Sequence, residues 1–190
     1  FIYTHLDGDI SIMSELRTNR IVPRDGLPSG SSGGIIQVRN SILTATDNNN
    51  TASNAFWNTS LSVAIAPTRS DSKLLIWGHV CCSVVGPQYN IGLAIYKDGS
   101  VLDGARGDAA SNRNRVLSSC SNNTNSDFMP SMAYSYMDSA GSTSSRTYSI
   151  AIFNPSGTTR QVYLNRSVDD EDQTYFTRGA SVITVMEVTG

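Results

Sequence analysis

Leu74-Leu75-Ile76-Trp77-Gly78-His79-Val80 is the stretch on which the fold turns. It is an uninterrupted apolar run, and Asp71-Ser72-Lys73 stands just before it. Seven residues are far short of the ~20 needed for a transmembrane helix. A run of this length is expected of a central strand of a sandwich. On its N-terminal side Leu61-Ser62-Val63-Ala64-Ile65 alternates with period two and Pro67 ends it, the pattern of a half-buried strand. On its C-terminal side Gly86-Pro87 turns the chain. Ile91, Leu93 and Ile95 then alternate with small residues, and Lys97-Asp98-Gly99 is a hairpin signal.

Strands continue in both directions. Ile35-Ile36-Gln37-Val38 through Thr44-Ala45-Thr46 reads as one, closed by a turn at Asp47-Asn48-Asn49-Asn50. Beyond the centre, Met129 to Asp138, Arg146 to Phe153, Gln161 to Asn165 and Ala180 to Val188 read as four more, with Asn154-Pro155-Ser156-Gly157 turning between two of them. No segment carries a convincing helical period. About eight strands with turn signals at short intervals predict an all-β fold, a jelly-roll-like β-sandwich. Between the two halves lies a long polar stretch, Asp103 to Asp127, too long and too rich in Asn and Ser for an ordinary hairpin loop.

The composition agrees. Of 190 residues, 39% are hydrophobic and only 16% charged, below the ~25% typical of soluble domains. Ser, Thr, Asn and Gly make roughly two residues in five, a bias that gives disorder unless enough β-forming side chains are present; here Val, Ile, Tyr and Phe supply them. A net charge of −2 provides no basic field for nucleic acid, and no apolar stretch is long enough to span a membrane. The opening residues lack the basic region and apolar core of a secretory signal.

Two parts are expected, an extended N-terminal arm over 1–34 and a sandwich head over 35–190. The arm has short β-forming pieces, Ile10-Ser11-Ile12 and Arg20-Ile21-Val22, then turn chemistry at Pro23-Arg24-Asp25-Gly26 and Leu27-Pro28-Ser29-Gly30, and a Ser31-Ser32-Gly33-Gly34 hinge. Thirty-odd such residues cannot build a core, so Ile10, Ile12, Leu16, Ile21 and Val22 are expected to anchor the protein on partner chains.

Met13-Ser14-Glu15-Leu16-Arg17-Thr18-Asn19-Arg20-Ile21-Val22-Pro23-Arg24-Asp25-Gly26, followed by Gly33-Gly34-Ile35-Ile36-Gln37-Val38, resembles the start of fibre-like virion proteins of phages that infect marine cyanobacteria. The blocks Thr59 to Pro67, Ser72 to Ile76, Gly107 to Arg113 and Val182 to Val188 match the same pattern in order and spacing, so the resemblance covers nearly all of Met13 to Val188. It implies a trimeric jelly-roll head similar in build to the tumour-necrosis-factor and complement globular heads. It implies a tail-fibre or head-fibre protein exposed on the virion, with other virion proteins as partners through the arm, no catalytic residues and no cofactor. A capsid-decoration protein without a receptor, and a polysaccharide-degrading enzyme, are the competing readings. An enzyme should show paired carboxylates in a groove on strands. Here the acids cluster in loops.

Candidate sites follow from residue type. Loops on a rigid scaffold carry function. Within the long polar stretch, Arg106, Asp108, Asn112, Arg113, Asn114 and Arg115 offer hydrogen bonds to a host-surface glycan, and the arginines offer pairing with acidic sugars or phosphates. Arg106-Gly107-Asp108 also matches an integrin-recognition tripeptide, a match expected by chance in such a loop. Trp57, Tyr89, Tyr134, Tyr136 and Tyr175 are candidates for stacking on sugars, weighed against burial, which is the usual fate of large aromatics. Asp169-Asp170-Glu171-Asp172 has oxygen ligands for a hard cation but not the glycine and spacing of an EF-hand; a solvated turn is expected. With only His5 and His79 and no C-x-x-C, no nitrogen or sulfur metal site is expected. Cys81 and Cys82 must face opposite ways in a strand, so at least one belongs to the core, and three cysteines make no disulfide framework, although a bridge from Cys120 stays open. Sequons at Asn49, Asn58, Asn122 and Asn165 are about the three or four that chance provides at this composition. For the trimer, either Ile91, Leu93 and Ile95, or the last strand with Val182 and Val185, are expected to bury one face about a threefold axis.

Overall fold

In the computed structural model the central run sits in β4, Lys73–Val84, a twelve-residue strand with neighbours on both edges. The structure describes residues 34–86, 90–121 and 126–189. The arm residues Ile10, Ile12, Leu16, Ile21 and Val22, together with Tyr89 and Asn122, lie outside them. The other strands are β1 (Ile35–Leu43), β2 (Asp47–Thr51), β3 (Ala55–Ile65), β5 (Asn90–Lys97), β6 (Ser100–Val101), β7 (Ser118–Ser121), β8 (Ser131–Ser139), β9 (Arg146–Asn154), β10 (Arg160–Leu164) and β11 (Ser181–Val188). A single 3-10 turn, Asp103–Ala105, is the only helical element among the described residues.

All ladders are antiparallel, and they divide into two sheets. One runs β1-β11-β4-β8, with β10 and then β2 continuing from the far half of β4; the other runs β3-β9-β5, with β6 and β7 sharing the outer edge of β5. Setting aside β2, β6 and β10 leaves eight strands. They pair first with eighth (β1·β11), second with seventh (β3·β9), third with sixth (β4·β8) and fourth with fifth (β5·β7). A ribbon folded back on itself in this way and then rolled into two facing sheets is a jelly roll.

Alternation decides the core. On β4, Leu74, Ile76, Val80 and Cys82 point inward and are buried. They meet Ile91, Leu93, Ile95, Tyr148, Ile150 and Ile152 from the opposite sheet, and Ile183 and Val185 complete the layer. Polar clasps close the sandwich. The Asp138 carboxylate on β8 accepts from the Tyr148 hydroxyl on β9 (2.6 Å) and from the Lys97 ammonium on β5 (2.8 Å), which ties one sheet to the other. Burial opposes ionisation of Asp138, but these donors outweigh it and lower its pKa; burial and the neighbouring Asp138 raise that of Tyr148. Asn154 and Asn165 are fully buried, and each holds loops by donating to backbone carbonyls: those of Thr51, Ala52 and Thr158 for Asn154, and those of Leu43 and Ala45 for Asn165.

Four expectations need correction. The Asp47–Asn50 segment read as a turn is strand β2, because its backbone pairs with β10 at the sheet edge while Asn48, Asn49 and Asn50 project to solvent; tertiary pairing overrides a poor β propensity. The polar stretch hides β7, the partner the jelly roll requires for β5; a four-residue Ser-rich edge strand shows no period to read. Ile91, Leu93 and Ile95 are fully buried in the core and cannot meet another subunit. Val182 and Val185, three residues apart, lie on opposite faces of β11: Val185 is core and only Val182 faces outward. The three cysteines are free thiols; Cys82 is buried, and burial raises the pKa of both Cys82 and Cys120, the latter to about 11.

Candidate functional site

Two surfaces stand out, the loop that the sequence singles out and a sheet face that it does not. The loop leaves β6 through the 3-10 turn, in which Leu102 N–H donates to Ile95 O (2.9 Å) and Ala105 is buried. It returns to the sheet where Gly107 N–H donates to Val116 O (3.1 Å) and Leu117 N–H donates to Leu93 O (2.8 Å). Val116 packs directly over Gly92: a Cβ at Gly92 would stand 2.4 Å from the Val116 side chain, so only glycine lets the loop lie this close to β5.

This anchoring sorts the six candidate residues. The Asp103 carboxylate accepts from Arg106 and from Arg115 Nη1 (3.1 and 3.2 Å), and the two guanidiniums hold its pKa below the usual value. Arg115 Nε also donates to Gly107 O (2.6 Å). Arg106 and Arg115 therefore clamp the loop through Asp103. Asn114 Nδ2 reaches Asn54 Oδ1 at 3.4 Å, a contact to the turn ahead of β3. Asp108, Asn112 and Arg113 stand exposed around a tight bend, where Arg113 N–H donates to Ala110 O and Ser111 takes a left-handed φ of 52°.

Elsewhere the candidates divide by burial. Tyr134 is buried and donates its hydroxyl to Val182 O (2.8 Å); Trp57 and Tyr136 pack against the core; Tyr175 is exposed and meets Phe176 in a tilted ring contact, centroids 4.7 Å apart. In the acidic run Asp170 pairs with Arg178 (2.6 Å) and Arg166 (3.6 Å), which lower its pKa, and Asp169 accepts from Ser126. Among the described residues no three His, Cys, Asp or Glu side chains come together as metal ligands. The sequon asparagine Asn165 is fully buried with its amide engaged, and Asn58 accepts from the Ser149 hydroxyl (2.7 Å).

The second surface is the outer face of β1-β11-β4-β8. The registers place four rows across it: Ile42, Val182, His79, Ala133; Asn40, Thr184, Trp77, Ser135; Val38, Met186, Leu75, Met137; and Ile35, Val188, Lys73, Ser139. Of these sixteen positions one, Lys73, carries a fixed charge, where an average surface would carry about four. Ile35 (61%), Ile42 (60%), Met137 (48%), Val38 (47%) and Trp77 (43%) are exposed. The His79 ring lies beside them, with Nε2 3.0 Å from Ala180 O. The unbroken apolar run of β4 is the signal for this face: a strand covered on one side only would alternate, whereas this one carries Leu75 and Trp77 outward as well as Leu74 and Ile76 inward.

No protein-family model matches the chain, and no curated protein matches it. Among solved structures it is similar to two of infectious bursal disease virus. For the Gt strain the TM-score is 0.40 at 11% identity, over 88% of this chain and 44% of that one; for the Gx strain it is 0.35 at 13% identity, over 88% and 45%. The chain thus spans under half the length of the proteins it matches. Scores of this size do not establish a shared fold, and the architecture rests on the strand pairings alone.

Proposed function

We propose that the chain is a structural protein of a bacteriophage virion, a trimeric tail-fibre or head-fibre module whose head is exposed on the particle surface. The observation that carries this reading is the jelly roll itself, entered at β1 after 34 residues whose sequence offers β-forming pieces but too few apolar side chains for a core. The resemblance to cyanophage fibre-like proteins over Met13 to Val188 supports it. In this reading residues 1–34 anchor the module on other virion proteins, and the exposed Asp108, Asn112 and Arg113 touch host-surface glycans, while Arg106 and Arg115 hold the loop in shape. A capsid-decoration role without a receptor uses the same head and arm and differs only in the loop's partner.

The non-enzymatic reading is supported by the state of the two acids that point into the sandwich, Glu187, which is buried, and Asp138, which is partly so. Asp138 is occupied by Lys97 and Tyr148, and Glu187 by Gln37 and the Thr68–Arg69 turn, so neither is left to act as an acid or base toward a substrate.

The test is particle incorporation. Changing Ile10, Ile12, Ile21 and Val22 to Ser should leave a soluble, cooperatively melting protein that is missing from purified particles by immunoblot, while the unchanged chain is found at an appendage by labelled-antibody electron microscopy. Full incorporation of the altered chain would remove the anchoring role, and absence of the unchanged chain from particles would remove the virion assignment.

A further inference from the structure

We propose that the outer face of β1-β11-β4-β8 is the surface through which copies of this chain associate, with Trp77 at its centre. This rests on the reading of the chain as an oligomeric virion module and names the face that the reading requires.

Three observations select a second copy as the occupant. The first is extent. Four strands about 4.8 Å apart, over roughly eight residues at ~3.4 Å each, give a footprint of about 450 Å² before side-chain relief is counted. That is more than half of the ~800 Å² that each partner brings to a standard stable interface. The second is chemistry. Fixed charge is nearly absent, and Trp77, Met137 and Met186 are residue types enriched in the centres of protein interfaces; of the polar side chains, Asn40 already donates to Thr184 and Lys73 to Ser139 within the face. The third is relief. On β1 the face is raised by Ile35, Val38 and Ile42, on β4 by Trp77 and on β8 by Met137, and small Ala133, Ser135 and Ser139 lie around Met137. Large side chains standing apart with small ones between them leave recesses in which the side chains of a second copy can seat, and copies related by a closed rotation axis present the same relief to one another.

The experiment is sedimentation velocity on the full chain at micromolar concentration, paired with tryptophan fluorescence in a Trp57→Phe background, which leaves Trp77 as the one indole. The unchanged chain should sediment at three times its 20.4 kDa mass, and the Trp57→Phe chain should do the same with blue-shifted Trp77 emission, which moves to the red as dilution dissociates the particle. Val38→Lys with Met137→Lys should fall to the monomer mass and still melt cooperatively. Tyr175→Lys, an equally exposed apolar residue off this face, should keep the trimer. A trimer that survives Val38→Lys with Met137→Lys, or whose Trp77 emits as a solvated indole, overturns the face and leaves the trimer standing. A monomeric unchanged chain overturns both, and if its Trp77 is nonetheless shielded, the face belongs to the chain's own leading segment.

Discussion

Glu187 is the most informative single position for testing how this head is held together. It lies inward on β11 and is fully buried. Its Oε2 accepts from Gln37 Nε2 (2.7 Å); its Oε1 accepts from Thr68 N–H (2.8 Å), the Thr68 hydroxyl (2.9 Å) and Arg69 N–H (3.2 Å). One carboxylate thus binds β1 and the turn between β3 and β4 to the last strand. Burial works to raise its pKa, but the donors from Gln37 and Thr68 prevail and hold it down to about 2 from an ordinary 4.5. Because the folded value is the lower one, the stabilisation is fully present above pH 4.5 and is lost as pH falls toward 2. At about 1.36 kcal/mol per unit, a shift of this size corresponds to at most ~3.4 kcal/mol. Solvent around the exposed Thr68 and Arg69 screens part of it, leaving about 1–3 kcal/mol. Glu187→Gln presents an amide N–H₂ to a cluster of donors and should forfeit that amount at pH 7, lowering the melting temperature by about 3–10 °C for a chain of this size. Thermal melts of both proteins at equal concentration, at pH 7 and pH 3, provide the assay. The gap between them should narrow markedly at pH 3, where the native protein's advantage is partly titrated away. Other acids with lowered pKa, such as Asp138 and Asp170, titrate in both proteins and cancel in the difference. An equal gap at both pH values, or no gap at pH 7, would refute the reasoning.

Two further outcomes are expected. Gly78→Ala should cost several kcal/mol and yield little soluble protein, because a Cβ at Gly78 would stand 2.0 Å from Val182 O and 2.8 Å from the Tyr134 hydroxyl, and neither the β11 backbone nor the buried ring can retreat; yield and melting temperature report it, and a native-like melt would mean that the β4·β11 pairing relaxes freely. Arg113→Ser should slow adsorption of particles to host cells several-fold with the head still folded, since the side chain is exposed and holds no part of the loop; adsorption unchanged from the parent would assign the loop to capping the sandwich and favour the decoration role.

The sequence by itself was enough for the fold class. Alternation in Leu61–Ile65, the apolar run Leu74–Val80 and the turn chemistry around Asn154-Pro155-Ser156-Gly157 are local signals, and a period of two is visible without knowing a strand's partner. The eight strands legible in it are nonetheless not the eight of the jelly roll: β10 carries a local signal and β7 carries none, since a short polar edge strand exists only through its pairing with β5. Asn48, Asn49 and Asn50 carried the chemistry of a turn and became a strand for the same reason. The loop residues Arg106 and Arg115 were legible as cations but not as clamps, because Asp103 becomes their common partner only once the 3-10 turn aims its carboxylate at both. The outer apolar face was present in the sequence as one strand too apolar to be covered on a single side. That it joins Ile35, Val38 and Ile42 of β1 to Trp77 across β11, and to Met137 across β4, was decided by tertiary structure alone, because register between strands far apart in the chain is a property of the folded sheet and leaves no local trace in the sequence.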